Sequence, residues 1–425
     1  MSITILFVVL FLLLISGAPV AVALGVASLV FILLDGLPSM VVLHNMVNGV
    51  NSFPLIAVPF FIMAGHLMNT AGITTKIFAF ARAGVGWMNG GLGHVNVGAS
   101  VIFAGMSGAA VADAGGLGNI EIQAMKEAGY DTDFSVGITA ASSTIGPIIP
   151  PSLPLVVYGV IADTSIGQLF AAGLIPGMLM AFSLMVMVAF YARIRQYPRD
   201  ERFSMKLFVS TFGHAILPLF TPIIIVGGIL TGIFTPTEAA IAAVAYSLIL
   251  GLFVYRTLSW KHILHVSQET VETTASIMMI VAASSIFAWI LTANQVAQHF
   301  ATNLLAFTQD KTAILLIIML IVLVVGCFME TIAAITILTP VLLPVAVQFG
   351  IDPVHFGIIL ILNLMIGLLT PPVGMVLYVL AKVSDVPFER CVIATAPFLV
   401  PLVTVLLLLT FIPAITMWLP TLLYR

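Results

Sequence analysis

Charge is what this chain has least of. Only 7% of its residues are Asp, Glu, Lys or Arg, against about a quarter in an ordinary soluble domain, so it is not one. Its 14 basic and 17 acidic residues leave a net charge of -3, which supplies neither the basic field that holds nucleic acid nor the polar excess of a disordered chain. Cysteine is nearly absent as well. Cys327 and Cys391 both stand in apolar stretches and offer neither a disulfide framework nor metal-ligand spacing. No G-x-x-x-x-G-K-[ST] phosphate loop occurs in the 425 residues, so a common way of gripping a nucleoside triphosphate is missing. What the chain has in quantity is apolar surface, 61% of its residues. Stretches of about 20 such residues fill most of it, each long enough to cross a lipid bilayer. The chain reads as an all-α polytopic membrane protein.

Residues 2–34 carry no Lys or Arg ahead of their apolar run, and the run is too long for a signal peptide. They read as a first spanning helix with Pro19 inside it. Further crossings follow at about 53–70, 134–163, 166–192, 213–234, 237–255, 268–293, 354–382 and 388–420, making nine. Two other apolar regions, about 92–126 and 312–349, are interrupted near their middles. Gly105-Met106-Ser107-Gly108 breaks the first; Gly326 to Thr331, then Pro340, break the second. Both read as re-entrant hairpins. The most basic loop runs from Arg193 to Arg202 and is followed by Lys206, and Arg256 with Lys261 marks another. The positive-inside rule puts both in the cytoplasm. Counting outward places the N-terminus, Lys76, Arg82 and Lys382 inside and the C-terminus outside, with only Lys311 and Arg425 on the minority side.

Slid against itself by 221 residues, the chain matches without gaps: Gly105 falls on Gly326, Gly129 on Gly350, Asp131 on Asp352, Gly146 on Gly367, Pro150 and Pro151 on Pro371 and Pro372, and Pro176 on Pro397. Nearly all are backbone-special residues, so what repeats is where helices break. On the topology above the copies have opposite orientation. Residues 1–210 then form a first inverted repeat, with hairpin 92–126 and broken helix 134–163, and residues 211–425 a second, with hairpin 312–349 and broken helix 354–382. Inverted repeats mark secondary transporters, because two units of opposite orientation give two near-equivalent states, each open to one side.

The breaks read Gly146-Pro147-Ile148-Ile149-Pro150-Pro151-Ser152 and Gly367-Leu368-Leu369-Thr370-Pro371-Pro372-Val373-Gly374. Proline has no N–H and clashes with the preceding turn, so adjacent prolines leave carbonyls without helical partners. In lipid that is costly unless something uses them. A dehydrated sodium ion is one such user, taking carbonyls and Ser or Thr hydroxyls as neutral ligands. The hairpin tips supply the other half, giving one ion site per repeat. The expected ligands are Gly105, Ser107, Gly146 and Pro150 in the first, and Gly326, Gly367, Thr370 and Met375 in the second.

Between the two ion sites a substrate cavity is expected, lined by Ser107, Ser152 and Glu330. Glu330 is flanked by Phe328, Met329, Thr331 and Ile332, and an acidic residue deep in a membrane is functional by default. It can balance a cation, carry a proton or hydrogen-bond the substrate. Asp113 falls near the first tip, while Glu121, Glu238 and Glu272 read as solvated or structural. The competing class is an intramembrane serine protease, since Gly105-Met106-Ser107-Gly108 fits G-x-S-G. That chemistry needs a histidine on a facing helix. Only His355 and His66 approach membrane segments, and the residue matched to Ser107 is Phe328, which leaves the repeat unexplained.

Four motifs in order, Ser107-Gly108-Ala109-Ala110-Val111-Ala112-Asp113, Pro147-Ile148-Ile149-Pro150-Pro151-Ser152, Gly232-Ile233-Phe234-Thr235-Pro236-Thr237-Glu238-Ala239 and Leu369-Thr370-Pro371-Pro372-Val373-Gly374, make the chain resemble the large membrane subunit of tripartite ATP-independent periplasmic (TRAP) transporters over nearly its whole length. The resemblance implies an elevator-type sodium symporter of the bacterial inner membrane. It also implies a small four-helix membrane subunit and a periplasmic substrate-binding protein that delivers an organic acid, such as a C4-dicarboxylate, a sialic acid or another sugar acid. Because Arg and Lys are scarce near the tips, the substrate carboxylate is expected to meet hydroxyls, amides and sodium.

Overall fold

A computed structural model describes residues 2–199, 203–308 and 310–424, and among them every regular element is a helix. Asp200, Glu201, Arg202 and Arg425, used above in the charge pattern, lie outside the described residues, as does the side chain of Ser107. The first half holds α1 Ser2–Ile15, α2 Val20–Leu34, α3 Met40–Val50, α4 Ala57–Thr70, α5 Ile73–Val85, α6 Gly91–Ser107, α7 Ala110–Gly115, α8 Leu117–Glu127, α9 Thr132–Ser143, α10 Leu153–Ile161 and α11 Ile166–Arg195. The second holds α12 Met205–Pro222, α13 Gly228–Leu230, α14 Pro236–Ile249, α15 Trp260–Ala293, α16 Val296–Phe307, α17 Lys311–Gly326, α18 Thr331–Gln348, α19 Pro353–Gly367, α20 Met375–Ser384, α21 Phe388–Phe411 and α22 Ala414–Leu423.

Shifted by 221 residues, α6 overlies α17, α7 with α8 overlies α18, α9 overlies α19 and α10 overlies α20. The correspondence reaches single bonds. Gly129 ends α8 with φ +84 and Gly350 ends α18 with φ +70. In each case the glycine N–H bonds three residues back, and the next N–H, of Tyr130 or Ile351, bonds five residues back. That is the Schellman stop, which wants a left-handed residue and so glycine. Pro150–Pro151 and Pro371–Pro372 are both cis.

Among the described residues seven helices are long and apolar enough to cross a membrane: Phe53–Thr70, Ile166–Arg195, Met205–Leu230, Pro236–Val254, Trp260–Ala293, Thr331–Gln348 and Phe388–Phe411. This differs from the nine expected crossings in four ways. First, 2–34 is not one helix with a kink. Gly17 takes φ +83, Gly17 and Ala18 close a Schellman stop on Leu14 and Leu13, and α2 starts after Pro19 and lies against α1. Leu6 and Leu10 share a core with Ala23, Leu24, Phe31 and, from α15, Phe287. Second, 134–163 and 354–382 are each two short helices around an irregular break, as their prolines require. Third, the segment expected at 388–420 stops at Phe411, and Pro413 starts the separate α22. Thr331–Gln348, expected as a hairpin arm, reaches spanning length despite Pro340 and Pro344.

The main core joins α4 and α15 to the hairpin and broken helices of both halves. The basic loop is tied to the start of α9. Arg195 and the Tyr197 hydroxyl reach Asp131 at 2.7 and 2.8 Å, and the hydrogen bond from Tyr197, then that from Arg195, holds the Asp131 carboxyl below the usual carboxylate range. Tyr197 also stacks on Tyr130, ring centroids 4.7 Å apart.

Candidate functional site

The first break is buried throughout, from Thr144 to Ser152. Ser152 caps α10: its oxygen accepts the Leu155 N–H at 3.2 Å, and its hydroxyl donates to the Pro147 carbonyl. A serine hydroxyl has one proton, so Ser152 holds the break in shape and keeps no donor for a ligand. No donor among the described residues reaches the carbonyls of Gly146 or Pro150. The first tip sits on this break. Gly108 ends α6 with φ +61, and a Cβ there would lie 2.5 Å from the Pro151 carbonyl oxygen. Glycine is needed both for the turn and for the approach. A Cβ on Gly146 would collide with the buried carboxylate of Asp113, so an acidic side chain of α7 reaches the first break. Gly105, one turn earlier in α6, packs instead against Pro222 of α12.

The second tip meets the second break in the same way, backbone against backbone. The Cα of Gly367 lies 3.4 Å from where a Cβ on Gly326 would stand, and the Val373 N–H donates to the Cys327 carbonyl at 3.2 Å. Thr370 donates its proton to the Ile366 carbonyl at 2.8 Å, which leaves the oxygen lone pairs free to face a cation. Gly367 already accepts from Thr370 N–H, and Met375 opens α20 just past Gly374. Pro371 and Pro372 are exposed, unlike their buried counterparts.

Tips and breaks converge. A cavity of about 70 Å³ is lined by Ala109, Ala110 and Val111 of the first tip, Pro147, Leu153 and Pro154 of the first break, Glu330, Thr331 and Ile332 of the second tip, and Leu368 of the second break. Of the three expected substrate contacts, Glu330 lines this space, Ser152 lies behind it, and the side chain of Ser107 is outside the described residues. Glu330 is also the N-cap of α18, its Oε2 accepting from Ile332 and Ala333 N–H at 2.8 and 3.1 Å. The matched residue at the first tip is Ala109, the N-cap of α7, which supplies no side-chain bond.

Two larger cavities flank this one. One, of about 510 Å³, runs between α4, α15 and the first hairpin and shares Ala109 and Leu153 with the central cavity. The other, of about 340 Å³, lies between α3, α10, the far half of α15, and α18. A buried polar cluster was missed by the sequence reading. Asn96 donates to Glu121 and to Thr139, each at 2.7 Å, and accepts from Ser142 at 2.6 Å. It ties α6 to α8 and α9. Glu121 is structural, as expected, but buried rather than solvated; Glu238 forms a capping box with Thr235.

Residues 7–415 match the family described as tripartite ATP-independent periplasmic transporter, DctM component. The sialic acid TRAP transporter large permease protein SiaM of Vibrio cholerae is 47% identical over 96% of each chain. The sialic acid TRAP transporter permease protein SiaT of Haemophilus influenzae is 44% identical over 89% of this chain, which spans 62% of that longer protein. In fold the chain resembles the Alcanivorax borkumensis YdaH transporter, solved by crystallography and noted for an unusual topology, with a TM-score of 0.65, 88% of each chain covered and 13% identity.

Proposed function

The chain belongs to the DctM component family of tripartite ATP-independent periplasmic transporters, and from that premise we propose that it imports an organic acid, sialic acid in the first instance, together with sodium. As a large permease subunit it is a multi-pass inner-membrane transporter and not an enzyme, so the protease reading of Ser107 falls away. The observation that carries the proposal is the central cavity, where both tips and both breaks meet. Sodium is taken at the breaks. Carbonyls of Gly146 and Pro150, with Gly105 and Ser107 from the tip, serve the first ion; Gly326, Gly367, Thr370 and Met375 serve the second. The Asp113 carboxylate beside Gly146 adds a negative charge that the second repeat, with Ala334 at the matched position, lacks.

The acid lies between the ions. At the second tip a carboxylate of the chain itself, Glu330, fills the slot at the head of α18; at the first tip Ala109 leaves the matched slot open. This supports the first tip, with Ser107, as the place where the substrate carboxylate meets backbone N–H groups. Glu330 then serves a hydroxyl or amide of the ligand or offsets sodium, and Ser152 positions the break. A cavity of about 70 Å³ holds about two waters, so a sugar acid enters only when tips and breaks part from the surrounding helices. The larger cavity adjoins it through Ala109 and Leu153 and the smaller shares α10 and α18 with it, which supports an elevator movement that exposes it alternately.

The two repeats, 1–210 and 211–425, are the halves of that machine. Basic loops put the ends of α4 and α15 nearest Lys76 and Arg256 in the cytoplasm and the C-terminus in the periplasm. Because α1 and α2 form a hairpin, the N-terminus joins the C-terminus there, rather than lying inside as one crossing would require. A small four-helix subunit and a periplasmic binding protein complete the system. Proteoliposomes holding all three should take up sialic acid down a sodium gradient without ATP, and in preference to a C4-dicarboxylate. Equal uptake with potassium in place of sodium on both sides would refute the coupling.

A further inference from the structure

The two flanking cavities are the same place in the two repeats. Glu269 and Thr273 line the larger one; 221 residues earlier stand Asn48 and Ser52, which line the smaller. Gly115 lines the larger and its counterpart Thr336 the smaller. Matched positions therefore differ in charge. Among the described residues the smaller cavity has no ionisable lining group, only ones such as Asn48, Ser52 and Ser284. The larger carries one carboxylate, Glu269, on α15. An imidazole nitrogen of His66, from α4, lies 3.2 Å from one of its oxygens, and one of His265 lies 3.3 Å from the other. His66 ties the carboxylate across the gap between α4 and α15, His265 holds it from within α15, and the side chain remains 41% exposed.

We infer that Glu269 is a charge filter in the passage on the Lys76 and Arg256 side, lowering the local concentration of organic anions and raising that of cations, while the Asn48 passage is electrostatically neutral. The inference rests on the import reading for its consequence. An acid released on the Glu269 side is disfavoured from rebinding there, whereas the side from which it arrives has no such barrier. The effect is modest, because a charge in a water-filled passage is screened: at about 8 Å in high dielectric it changes local ion concentrations about twofold, and more where the walls exclude water.

The test reads the field and needs neither substrate nor sodium, so it stands apart from the import assay. Thr273→Cys and Ser52→Cys are made in the complex with its small subunit, in membrane vesicles, with the parent chain as background since Cys327 and Cys391 are buried. Each is labelled with a cationic (ethyltrimethylammonium) and an anionic (ethylsulfonate) methanethiosulfonate, and the rate ratio is divided by that for a free thiol. At Thr273→Cys the cationic reagent should be favoured about threefold or more over its ratio at Ser52→Cys, and adding Glu269→Gln should bring the two together. Thr70→Cys, on the facing helix of the same cavity, replaces Thr273→Cys if that variant fails to assemble. An unchanged ratio after Glu269→Gln would overturn the filter. A cavity cysteine that neither reagent reaches from either side would overturn the passage itself.

Discussion

Glu330 caps α18 and lines the central cavity, and substitution can separate the cap from the transport role proposed for its carboxylate. As a cap it accepts two N–H groups of α18 at 2.8 and 3.1 Å. A cap is worth about 0.5–2 kcal/mol, and an anion at a helix start adds about 0.3–1 kcal/mol through the helix dipole. Glu330→Gln keeps an acceptor oxygen in place and gives up only the second contribution, so its melting temperature should shift slightly. Glu330→Ala gives up both and should melt lower. Glu330→Ser, a good cap without charge, should recover the stability that Ala loses. Transport should follow another order. If the carboxylate holds a substrate hydroxyl or offsets sodium, its loss removes a charged hydrogen bond worth about 1.5–3 kcal/mol, or about tenfold or more in initial uptake at about 1.4 kcal/mol per decade. All three variants should then be slow, whatever their stability. Initial sialic acid uptake by proteoliposomes with matched amounts of assembled complex decides it. Wild-type uptake by Glu330→Gln would show that Glu330 is a cap and nothing more, and the reasoning from the cavity lining would fail with it.

Gly108→Ala should raise the sodium concentration for half-maximal uptake by about tenfold, because it adds the left-handed backbone cost of about 1–2 kcal/mol and drives a methyl onto the Pro151 carbonyl; Gly129→Ala has a similar φ but open space around it, so it should pay only the backbone cost and keep the wild-type sodium response. Thr370→Val removes an oxygen whose proton is committed to Ile366, so it should raise the sodium requirement several-fold while leaving the melting temperature near wild type, and an unchanged sodium dependence in the folded variant would remove Thr370 from the second site.

What the sequence made legible is what depends on one residue at a time. Gly129 and Gly350 announce left-handed stops, and Pro150-Pro151 and Pro371-Pro372 announce breaks, because a missing Cβ or N–H constrains the backbone wherever the chain goes. The repeat was visible for the same reason. Properties that belong to pairs were not visible. Gly17 and Pro19 allow a kink or a hairpin, and only the packing of α1 on α2 chooses between them. Ser152 reads as available in sequence, but its hydroxyl donates to the Pro147 carbonyl, five residues back. Asn96, Glu121, Thr139 and Ser142 are ordinary polar residues in sequence and become one buried cluster only when α6, α8 and α9 meet.

A repeat is detected by the positions that agree, and for that reason the agreeing positions describe only the scaffold both halves need. Net direction comes from the sodium gradient, but any difference in how the two sides are handled comes from matched positions that disagree, since two identical halves would hold ligand and ions identically from either side. Three such disagreements lie along the path. Asp113 stands where the second repeat has Ala334 and sets an acidic side chain against the first break. Glu330 stands where the first has Ala109, so one tip carries a capping carboxylate and the matched residue of the other supplies no side-chain cap. Glu269 stands where the first has Asn48, so one passage is charged and the other neutral. Each places a single acidic residue in one half of a near-symmetric frame. Exchanging Glu269 and Asn48 in one chain, with Glu269→Asn and Asn48→Glu together, keeps composition and net charge and moves only the position of the acidic residue, so the apparent affinity for sialic acid should rise on the Lys76 and Arg256 side and fall on the other, read as half-maximal uptake in vesicles of the two orientations, and unchanged values on both sides would refute any contribution from that asymmetry.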